Sequence, residues 1–135
     1  MSPTAIDLTD SFAALGFLQN RTADNEHQAA DEGEPSWVDN LSSFGDGAVF
    51  IVHYAGQSAW ERHPGDEMVM VIDGATTMTF VIEGEHRLVP MTAMQFVVVP
   101  ANTWHRFDTP DGVRALSMTP QPTEHCLDDP VKQPK

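Results

Sequence analysis

From Ala48 onward, short apolar runs alternate with turn formers. AVFIVHY, MVMVID, TTMTFVIE, HRLVPM, AMQFVVVP and VRALSM are rich in Val, Ile, Phe, Thr and Met, residues that suit a pleated, half-buried surface. Between them lie Ala55-Gly56, Pro64-Gly65-Asp66, Asp73-Gly74, Glu83-Gly84-Glu85, Pro100-Ala101-Asn102 and Pro110-Asp111-Gly112. Strand-length runs about every ten residues, with no long helical period among them, predict an all-β sandwich or barrel.

The flanks read differently. Leu8, Phe12 and Leu15 fall at helical spacing and Gly16 follows as a stop, which predicts one short helix. Asn20 to Pro35 is polar and predicts a surface loop, while Trp37, Val38 and Leu41 predict a second small helical patch docked on the main body. Beyond Pro120, Pro122, Pro130 and Pro134 with few apolar residues predict a tail running over the surface. The expected organisation is an acidic N-terminal extension (1–46), a β-barrel (47–118) and a C-terminal tail (119–135), without internal repeats.

Composition narrows the function classes. The 135 residues carry 41% hydrophobic and 20% charged side chains, a globular balance that excludes collagen-like, coiled-coil and fully disordered chains. Seven Lys and Arg against twenty Asp and Glu give a net charge of −13. Such a surface repels phosphate backbones and anionic lipid, so neither nucleic acid nor membrane is an expected partner. The excess is uneven: residues 1–46 hold nine acids and one base, against eight and four in 47–118 and three and two in the tail. It is most simply a solvated, solubilising surface, the alternative being a partner-binding segment. No apolar run reaches the ~20 residues of a membrane span. With a single cysteine, Cys126, and a start that lacks signal-peptide character, a soluble cytoplasmic protein is expected.

Four polar residues interrupt the apolar fabric in a pattern. Glu61 and His63 are two apart in an extendable stretch, so both side chains share a face while Trp60 and Arg62 take the other. Glu67 opens the next strand after Pro64-Gly65, and His105 sits about forty residues later between Trp104 and Arg106. A fold that aimed those faces at one interior would gather two imidazoles and two carboxylates, a complete ligand set for a divalent transition ion.

These residues carry a resemblance to the cupin superfamily. Glu61-Arg62-His63-Pro64-Gly65-Asp66-Glu67, with Gly74 following, resembles the first cupin motif (G-x5-H-x-H-x3,4-E-x6-G), and Pro100-Ala101-Asn102-Thr103-Trp104-His105 resembles the second (G-x5-P-x-G-x2-H-x3-N). The resemblance spans about residues 47–118 and departs at several points. Glu61 stands where the first histidine is usual, Met94 and Asn102 replace motif glycines, Thr109 replaces the closing asparagine, and Gly56 is one residue out of step with the leading glycine. The resemblance implies a double-stranded β-helix, or jelly roll, with a metal in an open-ended pocket. His63, Glu67 and His105 match three usual ligand positions and suffice for a 2-His-1-carboxylate site. Glu61 is either the fourth ligand, bringing the ligand charge to −2, or a base beside the metal. The implied cofactor is one divalent transition metal ion (Fe, Mn, Ni, Co or Zn). The implied partners are a small-molecule ligand and a second copy in a homodimer, which would cover open sheet edges.

Three functions follow as expectations: a metal-dependent enzyme of dioxygenase or isomerase type acting on a small organic metabolite, a non-catalytic binding or sensing module, and an interaction role for the acidic extension. A metal-free pocket would still hold Glu61 and Glu67 close together as an acid/base pair. Met68, Met70, Val71, Phe96 and Phe107 are candidate pocket walls, with Trp60 and Trp104 packing on the far side of their strands. His53 is expected to be structural and His86 solvated. Glu124, His125, Cys126, Asp128 and Asp129 match no zinc spacing and are expected at the surface, with Cys126 unsuited to nucleophilic catalysis. No phosphate loop, nucleophile elbow or basic-aromatic stripe supports nucleotide hydrolysis, serine hydrolysis or RNA binding.

Overall fold

A computed structural model describes residues 2–132; Met1 and residues 133–135, which include Pro134 of the expected tail, lie outside the described residues. The apolar runs form strands, in chain order β1 (Leu18–Arg21), β2 (Val38–Phe44), β3 (Gly47–Gln57), β4 (Trp60–Arg62), β5 (Glu67–Ile82), β6 (Glu85–Thr92), β7 (Phe96–Val99), β8 (His105–Pro120) and β9 (Glu124–Cys126). Helix α1 (Leu8–Ala13) precedes them, capped by the Asp7 carboxylate, which accepts from the Asp10 N–H at 3.0 Å. It ends before Gly16, as its sequence predicts.

Strand β8 is the spine. One flank pairs antiparallel with β3, from Gly47↔Pro120 to Gln57↔Asp108, and with β4 at Glu61↔His105. Its other flank pairs with β5, from Met68↔Met118 to Phe80↔His105, with register shifts after Val71 and Gly74. On its far side β5 receives β6 and β7. These curled, mutually wrapped antiparallel strands form the expected all-β jelly roll. Ile51, Tyr54, Val69, Val71, Met78 and Val99 are almost wholly buried and fill its interior. Each buries apolar surface worth about 1.5–3 kcal/mol.

Inside the barrel, Ala55-Gly56, Asp73-Gly74 and Pro110-Asp111-Gly112 are not turns: they lie within the continuous strands β3, β5 and β8, where Gly56, Gly74 and Gly112 take positive φ without ending the pairing. The flanks correct three further expectations. The patch Trp37-Val38-Leu41 is not helical: β2 runs antiparallel to β3, from Val38↔Val52 to Phe44↔Gly47, because pairing with a waiting strand outweighs an ambiguous local pattern. The polar stretch after Asn20 is mostly exposed, but Arg21 closes a strand parallel to β3 (Leu18↔Tyr54, Arg21↔Gly56), and both Arg21 and Glu26 are buried. Gly56 permits this approach: it sits at φ +121°, and a Cβ there would come within 2.3 Å of the Arg21 carbonyl oxygen. The tail is not only surface, since β9 pairs with β4 (Trp60↔Cys126, Glu61↔His125, Arg62↔Glu124).

Candidate metal centre

The two motif loops are pinned together by backbone contacts. The Asn102 N–H donates to the His63 carbonyl at 2.7 Å, and the Ala101 N–H donates to the Asp66 carboxylate at 3.0 Å. Asn102 and Met94, at the motif glycine positions, both adopt left-handed backbone (φ 59° and 69°), so the turns survive without glycine. Thr109, at the usual asparagine position, is fully buried and bonded to Thr76 at 2.7 Å and Tyr54 at 3.4 Å.

This framework brings Glu61, His63, Glu67 and His105 together. Each offers one ligand atom, and all these atoms lie within 4.8 Å of one another. His105 Nε2 is 3.2 Å from Glu67 Oε1 and 3.5 Å from Glu61 Oε1, and His63 Nε2 is 3.5 Å from Glu67 Oε2. Bonds of about 2.0–2.2 Å to a shared ion would place nitrogen and oxygen ligands roughly 3–4 Å apart. The spacing fits.

The outward atoms of three of these side chains are already committed. His105 Nδ1–H donates to the Thr103 carbonyl at 2.9 Å. Thr123 Oγ1 gives its own proton to Gln121 Oε1 (3.2 Å), so it accepts from His63 Nδ1–H at 3.1 Å. The Thr119 hydroxyl donates to Glu67 Oε2. Both imidazoles therefore turn an Nε2 lone pair inward in their neutral forms. His63 Nε2, His105 Nε2 and Glu67 Oε1 are buried without a hydrogen-bond partner. Leaving a buried polar atom unpaired costs about 1–3 kcal/mol, so three aimed at one point fit a cation.

Electrostatics agree. Burial pushes the Glu67 carboxyl up, but the nearby imidazoles of His105 and His63, which favour its charged form, outweigh it and hold it at about 2. Burial likewise raises Glu61, yet the neighbouring His105 imidazole leaves it below the usual carboxylate range. Burial lowers His105, but Glu61 and Glu67 together lift it to about 10. Without a metal, a proton on His105 neutralises part of a dianionic pocket, a charge balance that a divalent ion satisfies better.

The centre lies in a cavity of about 570 Å³ whose apolar wall includes Trp37, Phe50, Val52, Val69, Phe107 and Val113. Of the expected wall residues only Phe107 lines it. Glu67 faces inward, so period-two alternation sends Val69 inward as well and turns Met68 and Met70 the other way. Val71 is buried in the core, and Phe96, opposite Met70, is 65% exposed. Trp60 and Trp104 do pack on the far side, under the guanidinium groups of Arg106 (4.7 Å) and Arg62 (4.5 Å). His53 stacks on Phe17 at 4.5 Å, a structural position. His86 is not simply solvated: it pairs with Asp129 at 2.9 Å and packs against Trp60.

Sequence reasoning missed Arg21, Glu26 and His27, which reach the cavity from the polar loop, and His125, which reaches it from β9. It also missed the three threonine contacts. The lone base among 46 N-terminal residues was the one available signal for Arg21. The guanidinium is clamped between Trp37 (4.7 Å) and Tyr54 (4.5 Å) and donates to Glu26 at 2.8 Å.

Residues 48–119 match the model of the Cupin domain family. Over 48 residues the chain is 35% identical to acireductone dioxygenase from Rhodopseudomonas palustris, a match that covers 36% of this chain and 29% of that enzyme. The chain thus spans under a third of the relative it matches. A cupin-2 domain protein from Shewanella frigidimarina superposes with a TM-score of 0.62 at 16% identity, over 86% of this chain and 94% of the other. Hydroquinone 1,2-dioxygenase, solved with Cd2+ and 4-hydroxybenzonitrile, superposes with a TM-score of 0.55 at 17% identity, over 67% and 68% of the two chains. At these identities the structural likeness establishes the fold.

Proposed function

The chain belongs to the Cupin domain family, and from that premise we propose that it binds a divalent transition metal ion (Fe, Mn, Ni, Co or Zn) through Glu61, His63, Glu67 and His105 and acts on a small organic metabolite, as a dioxygenase or an isomerase. The observation that carries this reading is the convergence of three buried, otherwise unpartnered donor atoms, His63 Nε2, His105 Nε2 and Glu67 Oε1. The dioxygenase assignments of one partial relative and one structural neighbour point the same way.

When bound, such an ion polarises substrate oxygen atoms as a Lewis acid and, if it is iron, supports chemistry with O2. The protein supplies the rest. Thr103, Thr119 and Thr123 lock the ligand side chains in the orientation that leaves their inner atoms available. Glu61 turns Oε1 towards the same centre. The apolar wall excludes water around the substrate, while Arg21, paired with Glu26 and clamped between Trp37 and Tyr54, holds the cavity rim in place.

Two further parts of this reading are a cytoplasmic location and a homodimer. Edge strand β7 pairs only with β5 and exposes Phe96 and Val98, apolar surface that a second copy would cover. Among the described residues no helix is long and apolar enough to cross a membrane.

The test is elemental analysis of protein purified without chelator, beside Glu67→Gln and His105→Ala. Bound metal is expected in the wild type and is expected to fall by one ion per chain, the ion of this centre, in both variants. Metal content unchanged in both would overturn the reading. A small-molecule ligand that still raises the melting temperature in EDTA would favour a non-catalytic binding module instead.

A further inference from the structure

A second set of ligand-type side chains stands at the mouth of the same cavity. Glu26 and His27, from the loop after β1, and His125, from β9, each offer an atom within 4.8 Å of the others. Nothing in the cupin motifs accounts for these residues, which come from outside the two motif loops.

Glu26 is the informative member. Its carboxylate is 2% exposed, in a loop that is otherwise polar and open. Oε2 is committed: it accepts from Arg21 Nε at 2.8 Å and from the Ala59 N–H at 3.3 Å. Oε1 is buried, accepts no hydrogen bond and faces His27 Nε2 at 3.4 Å. Because Trp37 and Tyr54 hold the Arg21 guanidinium between them, the carboxylate cannot swing to satisfy Oε1 without breaking its bond to Arg21. The arrangement is that of the inner centre, in which one atom is tied down and the other is presented.

The two histidines complete it. Their rings pack edge to face at 4.5 Å, which places both beside Glu26. Register sets His125 directly opposite Glu61 across β4 and β9, and its Nε2 lies 3.8 Å from Glu61 Oε2. The other oxygen of Glu61, Oε1, faces His105 Nε2 at 3.5 Å. Glu61 therefore presents one oxygen to each set, the geometry of a carboxylate bridging two cations. A simple His27–Glu26 ion pair would not explain the split orientation of Glu61.

We propose that the cavity mouth is a second divalent-cation site, formed by Glu26, His27 and His125, with Glu61 shared between it and the inner centre. Two imidazoles and carboxylate oxygen suit Zn(II), Ni(II), Cu(II) or Fe(II) rather than Mg(II) or Ca(II). This site also gives both oxygens of the glutamate at position 61 a use, Oε1 towards His105 and Oε2 towards His125. The proposal shares only Glu61 with the function argued above.

Chelator-stripped full-length protein would be titrated with Zn(II), with the bound ion counted by calorimetry and by elemental analysis after desalting. The wild type is expected to bind two ions per chain, the double variant His27→Ala/His125→Ala one, and His105→Ala one, held at the mouth. Both mouth histidines are partly exposed, so the double variant keeps the fold, which its unfolding curve checks. Equal stoichiometry in the wild type and the mouth variant overturns the second site. If the single ion then disappears in His105→Ala, the function proposed above still stands. Binding of no ion by the wild type overturns both.

Discussion

The inner and mouth clusters pair imidazoles with carboxylates in opposite settings. His105 is fully buried and its outward nitrogen is tied to the Thr103 carbonyl, whereas His27 is 63% exposed and is steadied by a ring contact with His125. Inside the barrel, position is enforced by strands paired on both sides, and the charges meet with little water to screen them. At the mouth, water and salt share the field, and geometry depends on a loop and a short strand. The same residue types are thus preorganised at high electrostatic cost in one place and loosely gathered in the other.

The largest expected effect comes from removing the inner cation partner. His105→Ala leaves Glu61 and Glu67 facing each other without it and is expected to destabilise the metal-free protein by about 3–5 kcal/mol in urea unfolding. A loss no larger than that of His27→Ala would erase the contrast between the clusters.

Metal-free stability should next depend on pH through the inner cluster. Glu67 is held at about 2 against an ordinary 4.5, so its contribution is complete above 4.5 and lost as pH falls towards 2. His105 is lifted from 6.5 to about 10, so its contribution is complete below 6.5 and lost as pH rises towards 10. Urea midpoints measured in EDTA should therefore peak between pH 4.5 and 6.5. His105→Ala should flatten the alkaline limb, and His27→Ala/His125→Ala should leave it intact.

Gly56→Ala tests the seam that carries the mouth residues. With φ +121° and the Arg21 backbone against it, the new Cβ must push β1 away, at a cost of about 1–3 kcal/mol. Loss of the mouth ion with retention of the inner one is the expected readout. Thr123→Val should leave the fold intact but loosen His63, weakening metal binding at the inner centre about tenfold in a calorimetric titration. Smallest of all, His27→Ala should change unfolding free energy by no more than about 0.5 kcal/mol, as expected of a solvent-facing side chain.

Much of the inner centre was legible in the chain. Alternation placed Glu61 and His63 on one face with Trp60 and Arg62 opposite, and the structure keeps that division. The wall was less legible: Met68 and Met70 are as apolar as Val69, and only the inward direction of Glu67 decides which of them line the cavity. The patch around Trp37 was misread because three apolar residues fit either period, and pairing with β3 made them a strand. Arg21 and Glu26 gave no local sign of burial, since a charged pair in a polar loop looks the same whether it lies on the surface or under it.

Alternation and turn chemistry are local, set by the pleat and by a few backbone angles, and the sequence alone determined most of the strand runs, the reversals at 64–66, 83–85 and 100–102, and the inward face of positions 61, 63, 67 and 105. The side chains that meet from distant segments were decided by strand pairing. Glu61 meets His125 because β9 returns to β4, Arg21 reaches the cavity because β1 lies parallel to β3, and Thr119 meets Glu67 because β8 runs beside β5. Those contacts depend on the free energy of the whole assembled barrel, which no local stretch of residues contains.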